Sequence, residues 1–175
     1  MIGMITSGLL FAATSAMAAE GQTEMTINGL LDNTTSNGSD SSTIMVNMEL
    51  GKYFSPYLVG KFNYLMMGTD DGTNSSTTLG LGGGIKFYFM QSSKGAWVPF
   101  VVGDMNAMMY SATSGFSTSD GTGLGTQYGI GVSNFVTEDV SMDITLKAYS
   151  QSFEINGFTL EQSGTRMLFG ITVRQ

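Results

Sequence analysis

The alternation of two kinds of connection constrains this chain more than any other feature. From Glu24 onward, segments that read apolar-polar-apolar at period two are separated by breaks. Polar Ser/Thr/Asn/Asp/Gly stretches fall near 33–42, 68–77, 111–123 and 153–163, and short breaks fall near 53–56, 91–96 and 135–139. These seven connections delimit eight segments, and long and short connections alternate strictly along the chain. A period of two places successive side chains on opposite faces of a strand, whereas a helix would repeat at i, i+3, i+4 and i+7. An up-and-down sheet with long connections at one end and short ones at the other predicts a closed barrel of the outer-membrane kind.

Strands are expected at about 24–32, 43–52, 57–67, 77–90, 97–110, 124–134, 140–151 and 164–174. Each is near the 9–11 residues that cross a bilayer at a tilt. The clearest is 77–90, where Leu79, Leu81, Ile85, Phe87 and Phe89 share one face and Thr78, Gly80, Gly82, Gly84 and Lys86 the other. Glycines inside such a segment mark a bend or a close approach of neighbouring chain.

Two observations assign the apolar face to lipid. Charged residues are only 12% of the chain, fewer than a water-facing barrel exterior carries. Aromatic residues also gather at strand ends. Tyr53, Phe54, Tyr57, Phe87, Tyr88, Phe89, Trp97, Phe100 and Phe135 fall at the short-turn end, and Tyr64, Tyr110, Tyr128 and Tyr149 toward the other. Two belts of this sort predict aromatic girdles at the membrane interfaces.

Strand parity then sorts the charges. Glu24, Glu49, Asp104 and Asp143 fall on the polar faces with Lys61, Lys86, Lys147 and Arg166. A lone charge in a narrow lumen is costly, and one on the lipid face at the midplane costs about 2–4 kcal/mol. Four acids balanced by four bases therefore predict a neutral, ion-paired lumen network. Glu49 and Lys61 are expected to meet across the 53–56 turn, and Lys86 to meet Asp104 diagonally.

Composition removes several functions. The chain has no histidine and no cysteine. The usual proton shuttle, the thiolate metal sites and the histidine-based nucleophile arrangements are therefore absent. Asp104 and Asp143 are read as structural ion-pair members rather than as a catalytic pair, so no enzyme activity and no cofactor is expected. The net charge is −7 and no basic patch is present, which excludes nucleic acid as a partner. Asp70-Asp71-Gly72-Thr73-Asn74 and Asp120-Gly121-Thr122 read as solvated turns rather than calcium sites.

Leu9 to Ala13 form a short apolar centre, and Ala16-Met17-Ala18 has the small-x-small form of a cleavage site. A signal peptide over 1–18 and a barrel domain over 19–175 are predicted, although Met1 to Ser7 carry no Lys or Arg. No apolar run after Ala19 approaches the ~20 residues of a membrane helix.

The export segment, the eight alternating segments, the glycine-rich 78–90 and the terminal Met167-x-Phe169-x-Ile171-x-Val173 together resemble the OmpA/OmpX-type eight-stranded outer-membrane barrel family. The resemblance implies an all-β, antiparallel, up-and-down transmembrane barrel in the bacterial outer membrane. It implies a side-chain-filled lumen and a non-enzymatic role in envelope structure or adhesion-like surface interaction through four long polar loops. Its implied partners are outer-membrane lipids and lipopolysaccharide, the assembly machinery, and a surface ligand met by the loops. The chain departs from the pattern in ending Val173-Arg174-Gln175 rather than in an aromatic residue, and it carries no peptidoglycan-binding domain. Two alternatives stay open at this point. One is a narrow small-solute channel. The other is a soluble periplasmic barrel whose apolar residues, many of the 14 methionines among them, line an inward ligand pocket.

Overall fold

A computed structural model describes residues 20–36, 39–114 and 117–175, so the expected signal peptide lies outside the described residues. Eight strands follow in order: β1 (Thr23–Ser36), β2 (Ser39–Tyr53), β3 (Leu58–Asp70), β4 (Asn74–Tyr88), β5 (Trp97–Ser114), β6 (Ser117–Phe135), β7 (Val140–Ile155) and β8 (Phe158–Arg174). Each pairs antiparallel with the next, and β8 pairs back with β1 to close the barrel. Closure matters because a backbone N–H or C=O in lipid has no water to bond, so only helices and closed sheets can span.

The alternation read from the sequence maps onto two environments. Leu81, Ile85, Met105, Ile130 and Phe169 point outward and are exposed, whereas Thr26, Asn47, Asn63, Gln127 and Thr145 point inward and are buried. Apolar side chains on the outside and polar ones inside invert the soluble ligand-binding barrel, and that alternative is set aside. No helix among the described residues is long and apolar enough to cross a membrane. The crossing is made by strands.

The expected long loops are corrected. The polar stretches continue the strands: β5 has 18 residues and β6 has 19. Serine and threonine there mark solvent on both sides of a pleat, not irregular backbone, and threonine favours strand. A strand needs about 9–11 residues to cross, so β5 and β6 project about 20 Å beyond the bilayer at the usual rise and tilt.

The described connections at this end are tight. Residues 71–73 join β3 to β4, and 156–157 join β7 to β8. Asn156 and Gly157 have φ of 50° and 82°, the left-handed pair of a two-residue hairpin turn. In the other turn, Asp71 accepts hydrogen bonds from the amides of Thr73 (3.0 Å) and Asn74 (2.6 Å) and from the Asn74 side chain (3.0 Å). The Asn74 side chain, followed by the two amides, holds the Asp71 carboxyl below the usual carboxylate range.

Two glycines fix how the wall fits its contents. Gly84 lies opposite Asp104, and Gly82 opposite Asn106, in the β4–β5 register. A Cβ on either would run into the backbone of β5 and the inward side chain of its partner. The glycine run of β4 is therefore room for the polar side chains of β5.

The β1–β8 seam is shorter than its neighbours. Its register runs from Glu24↔Arg174 to Gly29↔Phe169 and stops. The β1–β2 register continues to Ser36↔Ser39, and the β7–β8 register to Ile155↔Phe158.

Candidate functional site

The lumen is the one place where charge gathers inside the barrel. The inward parity of β2, β3, β5 and β7 carries Glu49, Lys61, Asp104 and Lys147 to a common level. Lys61 Nζ lies 2.7 Å from Glu49 and 2.9 Å from Asp104. Lys147 Nζ lies 3.2 Å from Glu49 and 2.8 Å from Asp104. Each cation touches both acids, so the four close a ring of alternating sign. Glu49 also accepts from the Asn47 amide at 2.7 Å. The expected Glu49–Lys61 contact thus forms part of a larger unit, and it is diagonal, since Lys61 lies opposite Gly51 in the ladder.

A second group lies toward the short-turn end. Lys86 reaches Asp143 at 3.3 Å and Glu24 at 3.7 Å. Arg174 approaches Glu24 at 3.9 Å and donates to Ser92. Tyr53 and Tyr88 donate to Glu24 at 2.7 and 3.2 Å. Ser141 and Thr172 donate to Asp143 at 2.8 and 2.7 Å. The expected Lys86–Asp104 contact is corrected: Lys86 belongs with Glu24 and Asp143, and Asp104 with the other two lysines. In a barrel this narrow, side chains reach across the lumen, so the diagonal neighbour in the ladder has no special claim.

Two site expectations change with these groups. Arg174 joins the network, which the charges expected inside from the sequence do not include. It shares the inward parity of Arg166, Gly170 and Thr172, so the same rule would have found it. Arg166 meets no carboxylate among the described residues. Its guanidinium lies 3.7 Å over the Tyr149 ring and donates to the sulfurs of Met45 (2.9 Å) and Met67 (4.0 Å). It is 7% exposed, and its Nη2 has no hydrogen-bond partner among the described residues. Among the described residues the buried charges are four acids and five bases.

The aromatic belts are also corrected. Phe54, Tyr57, Phe87, Phe89, Trp97, Tyr64 and Tyr128 face outward, with Tyr128 68% exposed. Tyr53, Tyr88, Phe100 and Phe135 are buried in the lumen, and Tyr110 and Tyr149 also turn inward. Nearness to a strand end suggested a girdle, but parity decides the face. The inward rings solvate cations instead. Lys86 Nζ lies 4.4 Å from the Phe100 ring centre and 4.7 Å from that of Tyr88, and Arg174 lies 4.2 Å from that of Phe135. Such contacts supply about 0.5–2 kcal/mol each, more when desolvated.

Apolar layers cap both ends of the charged region. Tyr53, Val59, Tyr88, Val98, Phe100, Val102 and Phe135 pack together at the short-turn end. Met45, Leu65, Met108, Phe153 and Leu168 pack together at the other. Between them a polar cavity of about 10 Å³, lined by Thr26, Glu49, Lys61, Lys86, Asp143 and Lys147 among others, is about the size of a single water.

A closed barrel with an apolar exterior and a filled polar core is the architecture of an outer-membrane protein, and family comparison decides it. The outer membrane protein beta-barrel domain family matches residues 4–164. This chain belongs to that family. Members of the outer membrane protein beta-barrel domain family reside in the bacterial outer membrane, and that is where this barrel sits. Its solved structural neighbours share the fold. Neisserial surface protein A superposes with a TM-score of 0.68 at 18% identity, covering 89% of this chain and 98% of that one. The N-terminal barrel of Pseudomonas aeruginosa OprF gives 0.63 at 11%, covering 90% and 100%. OprG from the same organism gives 0.53 at 11%, covering 90% and 97%. No curated protein sequence is a match.

Proposed function

We propose that this outer-membrane barrel is a closed, non-enzymatic anchor that serves envelope structure and presents its projecting hairpins to other surfaces. The layered lumen carries this reading. Two apolar layers enclose the charged groups, and the four carboxylates buried among the described residues each meet a cation or a hydroxyl donor. A catalytic acid or base needs a group free to exchange a proton with substrate. A conducting path needs connected water, and the internal cavity is about the size of one molecule. The eight-stranded circumference leaves only enough interior for side chains. Binding is then left to the hairpins, whose tips include the highly exposed Phe158. The eight-residue network Glu24, Glu49, Lys61, Lys86, Asp104, Asp143, Lys147 and Arg174 serves as internal cement.

Purified protein in planar bilayers is expected to give no single-channel steps, and stable steps of uniform conductance would overturn the closed reading. Cells carrying a barrel with β5 and β6 shortened by residues 110–121 are expected to lose surface attachment while keeping an intact permeability barrier. Leakage without loss of attachment would favour the channel.

A further inference from the structure

We propose that the outer wall of β4 to β7 carries a binding site for a lipid whose head bears a primary ammonium, with an acyl chain in an apolar groove and the ammonium between Asp120 and Glu154. The proposal goes beyond the closed-anchor reading and does not depend on it.

The groove is the first observation. On the outward parity, Ala107 of β5 lies between Leu81 of β4 and Leu124 of β6 in the ladder. A methyl group between two leucines leaves a trough, and Tyr64, opposite Leu81, extends one wall. One level up, Leu79, Met109 and Thr122 stand in the same order. Gly80 and Gly123 flank Met108 between the two levels, and glycine inside a strand marks a bend or a close approach. The hollow has a volume of about 640 Å³. It runs on into a second of about 550 Å³, which shares Leu79, Met109, Thr122 and Glu154 and adds Thr77, Ser111 and Asp120. From Leu81 to Thr77 the groove extends about 13 Å along β4 at the usual rise. Its lower walls are apolar and its upper walls carry hydroxyls and carboxylates, so it crosses the level where lipid tails give way to head groups. Such a groove fits an amphiphile that enters from the membrane with its head toward the projecting hairpins.

Charge is the second observation. Glu154 lies opposite Thr122, and Asp120 is two residues further along β6. The two outward acids are therefore diagonal neighbours, with α-carbons roughly 7–8 Å apart. The whole chain has seven bases. Lys61, Lys86, Lys147, Arg166 and Arg174 are buried in the lumen, and Lys52 and Lys94 are exposed at the short-turn end. No base of this chain is left to stand between Asp120 and Glu154. A head group that fills the gap is favoured if it is cationic, and an anionic one meets two like charges. An ammonium on a short tether can donate to both carboxylates through charge-assisted hydrogen bonds. The hydroxyls of Thr77, Ser111 and Thr122, on the same walls, are donors for the ester or phosphate oxygens of that head.

The test is native mass spectrometry of the full barrel in detergent micelles, titrated with three lipids of identical acyl chains. The probes are phosphatidylethanolamine, its N-acetylated form and phosphatidylglycerol, each with calcium and with EDTA. Phosphatidylethanolamine is expected to be retained about fivefold or more over the other two, in EDTA as in calcium. Replacing both acids, Asp120→Asn with Glu154→Gln, is expected to erase that preference. Ala107→Phe, which fills the trough, is expected to weaken retention of phosphatidylethanolamine about fivefold or more, with Ile171→Phe on the outward face of β8 as the unchanged control. The melting temperature of each variant establishes folding. Equal retention of the three lipids would show an unselective lipid coat and overturn the proposal. Retention of phosphatidylglycerol that matches phosphatidylethanolamine in calcium and disappears in EDTA would assign the groove to an anionic lipid bridged by the metal, and would overturn it too. A preference that survives loss of both acids, or equal effects of Ala107→Phe and Ile171→Phe, would place the lipid elsewhere on the wall and overturn the site.

Discussion

Lys147 shows how much a single side chain carries here. Its ammonium bridges Glu49 and Asp104 from one side while Lys61 bridges them from the other. Replacing Lys147 by Met keeps the volume but leaves two buried carboxylates to one cation. The expected cost is about 3–5 kcal/mol, the range found when one member of a buried pair is removed. Urea unfolding followed by tryptophan fluorescence measures it, since Trp97 is the sole tryptophan and faces outward. Residue parity made most of this legible from sequence. It placed Glu49, Lys61, Asp104 and Lys147 inside. Tyr53, Tyr88, Phe100, Tyr110, Phe135 and Arg174 follow the same parity inward, although their nearness to a strand end or chain end points to the interface. Which acid meets which base was not legible, because contacts across a lumen depend on shear and side-chain reach rather than on ladder neighbours.

The elements carry their own constraints. Gly84→Ala would set a methyl group against the Asp104 side chain and the β5 backbone. Overpacking of this sort costs about 1–3 kcal/mol, so a lowered unfolding midpoint is expected, with Gly103→Ala, whose Cβ meets open space, as the neutral control. The β3–β4 turn is pH-dependent. The Asp71 carboxyl is held below its ordinary value of 3.8, so its contribution is present above that value. It is lost as pH falls through the lower, folded value. A carboxyl titration by NMR should place the Asp71 midpoint below 3.8, with the Thr73 and Asn74 amide shifts moving at the same midpoint. Strand number, order and short turns were legible in the alternation. The outer strand ends were not. A Ser/Thr-rich segment looks the same whether it loops or continues as a pleat with water on both faces, and only its partner across the ladder decides.

At the scale of the whole molecule the order from end to end is apolar, ionic, ionic, apolar. If the central four charges act as cement alone, their sign is dispensable as long as none is left unpaired. Changing Glu49, Lys61, Asp104 and Lys147 together to Met is expected to give a barrel that folds with a stability equal to the original or about 1–4 kcal/mol higher. Refolding yield in micelles and the unfolding midpoint measure this. A quadruple variant as damaged as Lys147→Met alone would show that the ring does more than satisfy itself.

The tight turns have a consequence for how this surface is read. A flexible loop offers its residues in no fixed order, and a partner must freeze it before binding. Strands that run on to two- or three-residue turns hold alternate side chains about 7 Å apart along each face, as the pleat dictates. Such a surface behaves as a ruler. A change of one residue in length would not merely lengthen it but would swap the inner and outer faces of every mark beyond the change.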